Sequence, residues 1–76
     1  MKGNLTFGQK SVGLTFNPDN NDEVTKCKRL YADIIDQLNE LRNSTNILEV
    51  KRLASVAITE AQTAQMWSVK AITYKD

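Results

Sequence analysis

An all-α fold is what this sequence predicts: a short N-terminal arm or helix, then a long antiparallel helical hairpin, assembled as an oligomer. Three observations carry that reading. All three glycines and the single proline fall within residues 1–20, while 22–42 and 47–73 contain neither. Irregular backbone is thereby confined to the start of the chain. Val24, Cys27, Tyr31, Ile34, Leu38 and Leu41 follow a 3-4-3-4-3 spacing, the period of a helix that meets a partner along one seam. Finally, residues 47–73 carry a broader apolar face than a single partner helix needs.

The expected organisation is one domain over 1–76, with an arm at 1–20, a helix at 21–43, a turn at 44–46 and a second helix at 47–73. In the arm, Thr6-Phe7-Gly8-Gln9 fits a capping box that starts a short helix over about residues 7–12. Gly13 suits its end, where a left-handed residue is needed. The alternation at Val12, Leu14 and Phe16 allows a short strand instead; a short helix followed by an extended segment is the preferred form. Asn17 precedes Pro18 and therefore avoids the helical region. Pro18-Asp19-Asn20-Asn21 then makes a turn into the first long helix.

On that helix, Leu30 and Ile35 flank the seam, and Asn21 or Asp22 can cap its start, where Asp22 and Glu23 suit the positive end of the dipole. Asn43-Ser44-Thr45-Asn46 has the length of a link between antiparallel helices. Asn46 with Glu49 resembles a second capping box. On the second helix, Val50, Leu53, Ala54, Ala57, Ile58, Ala61, Ala64, Val69, Ala71 and Ile72 share the broad face. Met66 and Trp67 lie off it and need cover from the arm or from a second protomer.

Bulk composition narrows the function. A chain of 76 residues buries a small core and is marginally stable unless something adds to it. Cys27 is the sole cysteine, so no disulfide forms within the chain, and a reducing compartment is expected. There are no histidines, which removes the usual transition-metal sites and every Ser/His or Cys/His nucleophile. Ten basic against nine acidic residues give a net charge of +1, so binding to duplex nucleic acid is not expected. No apolar run reaches a membrane span, and residues 1–20 lack the apolar core of a signal peptide. Neither a membrane partner nor a cofactor is expected.

Individual residues offer little chemistry. Cys27 on the seam reads as a small buried hydrophobe. Asp33, Asp36 and Glu40 lie away from the seam and read as solvated surface. No phosphate-cradling glycine loop is present. An enzyme is therefore not expected. Binding features are stronger. Lys26, Lys28 and Arg29 lie near the aromatic arm, although Asp22–Lys26 and Arg29–Asp33 spacing also allows plain surface pairs. Arg52, Ser55, Thr59, Gln62, Thr63 and Lys70 form a polar stripe that reads most simply as a solvated face. Phe7 and Phe16 can stack on a planar ring or pack over the hairpin.

Two stretches carry more. GQKSVGLTFNP (8–18) and TEAQTAQMWSVKAIT (59–73) resemble the helical-hairpin domain shared by two groups of bacteriophage proteins, the anti-CBASS and anti-Thoeris sponges. That resemblance implies a non-enzymatic protein in the cytoplasm of the infected bacterium. It would bind and sequester cyclic nucleotide signals of host defence: cyclic dinucleotides first, with cyclic trinucleotides and cyclic ADP-ribose isomers as alternatives. It also implies homo-oligomers, hexamers among them, with pockets between protomers. The matching ligand candidates are Phe7 or Phe16 for stacking and Lys26 or Lys28 for phosphate. Lys10 and Asn17 stand beside them in the arm, and Arg52 is the candidate for a separate trinucleotide-type pocket. One departure is the turn after Pro18, where many members have glycine and this chain has Asp19-Asn20-Asn21. Asparagine tolerates left-handed geometry, but its side chain would narrow a pocket there. The competing expectations are a structural oligomer that binds protein and no small ligand, and, more weakly, a single-strand nucleic-acid binder.

Overall fold

A computed structural model describes residues 4–76. Three helices follow one another: α1 (Phe7–Ser11), α2 (Asp22–Ser44) and α3 (Leu48–Thr73). Among the described residues there is no strand. The short helix of the arm therefore forms, and the strand alternative is excluded.

Local chemistry explains each boundary. Thr6 Oγ1 accepts from the Gln9 amide at 3.1 Å while Gln9 Oε1 accepts from the Thr6 amide at 2.9 Å, a complete capping box. Gly13, at φ +63°, ends α1, with its amide on Lys10 O and the Leu14 amide on Gln9 O. The segment beyond is a turn, not the expected extended stretch, because the Phe16 amide donates back to Gly13 O at 2.9 Å. Asn17 opens a second turn, closed by the Asn20 amide at 3.0 Å. Asn20 takes φ +54°, the left-handed geometry that asparagine tolerates. Asn21 then caps α2 by accepting from the Glu23 and Val24 amides.

The start of α3 departs from expectation. Ile47, not Asn46, is its N-cap, and no side chain caps it. Glu49 is engaged instead by Arg52, at 2.7 Å, and Thr45 Oγ1 accepts the Ile47 amide.

The seam of α2 is also rotated. Its buried residues are Val24, Lys28, Ala32 and Ile35, while Ile34 and Leu41 of the expected seam are about half exposed and Leu30 more so. The offset is roughly a quarter turn, at 100° per residue. Its cause is that α2 serves two neighbours. Tyr31 and Leu38 pack against the core, and Tyr31 Oη meets Ser68 Oγ of α3 at 3.1 Å. The Lys28–Ala32–Asp36 flank receives the arm. On α3, Ala54 and Ile58 are buried as expected, but Leu53, Ala64 and Ala71 are exposed and Gln65 is buried. Ser55 and Gln62 are half-buried, not part of a free polar stripe: Ser55 accepts from Arg42 and Gln62 donates to Ser11 O.

Val12 from the arm, Ala32 and Ile35 from α2, and Ile58 from α3 form one core. The whole is a plate, 46 × 36 × 12 Å, about one helix thick. It exposes 5735 Å², whereas a compact monomer of its mass exposes roughly 4,700 Å². The excess includes Leu48, Met66 and Trp67, each more than 60% exposed. The arm does not cover Met66 or Trp67. No described helix is long and apolar enough to cross a membrane.

Candidate functional site

The arm lies along α2 and is held at both ends. At its start, Asp36 accepts from the Gly8 amide and from Thr6 Oγ1, each at 2.7 Å. Asp36 is therefore an anchor and not the solvated carboxylate that its spacing suggested. Between the ends, Gly8 is buried against Ala32, so close that a Cβ would collide with the Ala32 carbonyl. At the far end, Lys28 Nζ donates to Gly13 O at 3.0 Å and to Phe16 O at 2.5 Å. Residues 28, 32 and 36 share one side of a helix by their spacing of four.

This placement sorts the candidate residues. Lys28 is 5% exposed, with its ammonium donating to two backbone carbonyls and set 5.5 Å from the Phe16 ring centroid. Its burial and two carbonyl partners make it part of the frame that holds the arm. Phe16 is 72% exposed, so its ring sits over a buried cation with most of its surface open. Asn17 is occupied on both ends of its amide, which accepts from the Asn21 amide and donates to Asn21 O and Thr25 Oγ1.

Phe16, Asn17, Lys28 and the α3 residues Val69 and Thr73 line a cleft of about 250 Å³. A second hollow of about 340 Å³ shares Asp19, Asn21 and Thr73 with it and is also lined by Tyr74 and Lys75. Lys26 is not in this cleft. It is exposed and lines a groove of about 240 Å³ with Cys27, Tyr31 and Ile72, across the α2–α3 seam. Cys27 is half-buried there. Phe16 and Lys26 thus line separate hollows of the chain.

Phe7 belongs to the other end of the arm. It is 43% exposed and lies 5.4 Å from the Arg42 guanidinium, which also donates to Ser55 and Asn39. Lys28 and Arg42 are 14 residues apart on α2, roughly 21 Å of helical rise, so the two phenylalanines mark separate places. Lys10 is exposed on α1. Arg52 is exposed but paired with Glu49. That pair raises the guanidinium's pKa and holds the Glu49 carboxyl below its ordinary value, through their hydrogen bonds.

The sequence reading placed Asp36 and Gln62 on solvated surface, where the structure has them holding the arm, and it passed over Arg42. For Asp36 a signal existed: it lies two turns beyond Lys28, on the flank that the small Ala32 leaves open to Gly8. Arg42 and Gln62 left none, because their partners depend on where the arm lands.

Fold and clefts together define a helical hairpin with an aromatic arm docked along α2. A family model described as the Acb2/Tad1 hairpin domain matches residues 9–73, most of the chain. The chain belongs to that family, in agreement with the resemblance seen in residues 8–18 and 59–73. No curated protein and no solved structure matched this chain.

Proposed function

We propose that this protein binds and sequesters cyclic nucleotide second messengers of bacterial anti-phage defence, without hydrolysing them, in the cytoplasm of the infected cell. Membership of the Acb2/Tad1 family is the observation that carries the reading. Two features support it. Phe16 presents an open ring at a cleft, as stacking on a base requires. The excess surface of a plate about one helix thick suits a homo-oligomer, hexameric in its expected form, in which Lys26 of one protomer completes the cleft of another. A shared pocket accounts for Phe16 and Lys26 lining separate hollows in one chain.

Isothermal titration with a panel of cyclic dinucleotides, cyclic trinucleotides and cyclic ADP-ribose isomers tests the proposal. A nanomolar Kd, about −12 kcal/mol, is expected for a cyclic dinucleotide. Lys26→Glu is expected to weaken it more than tenfold with the assembly unchanged by light scattering. An empty panel with an intact oligomer would instead favour the structural reading, in which exposed Met66 and Trp67 serve protein contacts.

A further inference from the structure

We infer that Lys28 is a positioning residue for the ligand site: it sets the Phe16 ring at the cleft and does not itself hold the ligand's phosphate. The inference rests on the proposed stacking role of Phe16, and it goes beyond that role by naming what fixes the ring.

A buried ammonium is an expensive choice at this position. Lys28 is buried like Val24 and Ala32 on the same helix, and the ion pair present among the described residues is Glu49–Arg52, not one that involves Lys28. A leucine or methionine would fill the same volume with no charge to desolvate. What the ammonium does, and a hydrophobe cannot, is draw two carbonyls together. Gly13 O and Phe16 O both point at Nζ, so residues 13–16 are tied into a loop around one cation. The same loop is closed by the Phe16 amide on Gly13 O. Phe16 therefore has both its backbone N–H and its C=O fixed.

The cation also lies 5.5 Å from the ring, an attraction that favours one ring placement over others. Preorganising a stacking ring removes ordering entropy from the binding step. Lysine is suited to this geometry as a compact point charge with three rotatable donors. Two of the three are committed to the loop.

The test separates action through Phe16 from contact with ligand. In the ligand-free protein, Lys28→Met is expected to speed amide exchange at Phe16 at least tenfold, while Val24 and Ala32 stay within twofold of the parent. With 3′,3′-cyclic GMP–AMP as probe, Lys28→Met and Phe16→Ala are each expected to weaken binding at least tenfold. The double variant should be no more than twofold weaker than Phe16→Ala alone. Lys28→Arg, which can still bridge two carbonyls, should recover most of the affinity.

Additive losses in the double variant would overturn the inference and make Lys28 a direct contact. Unchanged exchange at Phe16 would overturn it as well. Should the parent bind none of the panel, the stacking reading fails and the exchange experiment still decides whether Lys28 fixes residue 16. If Lys28→Met does not fold, judged by helical circular dichroism, Lys28→Gln is measured in its place by the same criteria.

Discussion

Replacing Gly8 by alanine should destabilise this protein, although the same change stabilises most helices. Gly8 is the second residue of α1, and alanine in a helix is ordinarily favoured by roughly 0.5–1 kcal/mol. Here the added Cβ meets the Ala32 carbonyl of α2, with Ala32 C and Asp36 Oδ1 at 2.9 Å. The obstacle is backbone, so a rotamer change cannot relieve it. Overpacking of this kind costs about 1–3 kcal/mol. Moving α1 away also stretches the bonds from Thr6 and Gly8 to Asp36, both 2.7 Å long. Losing one such bond to a charged group adds about 1.5–3 kcal/mol.

Set against the helix gain, the net loss is about 1.5–5.5 kcal/mol, a large share of a small domain's stability. Urea unfolding followed by circular dichroism would measure it, at fixed protein concentration because the proposed assembly would shift the midpoint. A variant as stable as the parent, or more stable, would refute the close approach of α1 to α2.

Two further outcomes follow from the turn and the ion pair. Asn20→Val should cost about 1–2 kcal/mol in the same assay, because φ +54° is strained for a β-branched residue, whereas Asn20→Gly should be neutral or slightly stabilising. For the ion pair, Arg52 holds the Glu49 carboxyl below its ordinary 4.5. A depressed carboxylate contributes stability above its unfolded value and loses it as pH falls through the folded one. Parent and Glu49→Gln should therefore differ slightly near neutral pH, the parent being more stable, and converge in strong acid. Added salt should shrink the gap, since the pair is exposed. A gap that grew on acidification would overturn the assignment.

Much of the fold was legible because its signals are local. Thr6 with Gln9, Gly13, Asn21 and the polar link near residue 45 act through neighbours a few positions away, and each produced its boundary or turn. The rotation of α2 was not legible. Periodicity weighs apolar residues only, so it followed Ile34 and Leu41 and passed over Lys28 and Asp36. Those two are inward-facing because polar groups of the arm meet them, and that meeting spans 12 to 30 residues of sequence. The capping box at Asn46 did not form: Glu49, three residues from both Asn46 and Arg52, pairs with Arg52 instead. At the site, residue types were readable, but their grouping was not. Phe16 and Lys28 came together while Lys26 went to the other side of the seam, a separation fixed by helix phase.

The thinness of the plate has a thermodynamic consequence. With 12 Å between its faces, a side chain row on α2 or α3 borders grooves on either side of the same seam. A solute seated in one groove and a neighbouring protomer seated on the opposite face would press on the same helices. Their free energies are then coupled, and the coupling is reciprocal. Whatever factor a ligand adds to the association constant of the protomers, association must add to the affinity for that ligand. In the proposed assembly, a factor above one means that dilution weakens capture and capture resists dilution, and a factor below one means the reverse.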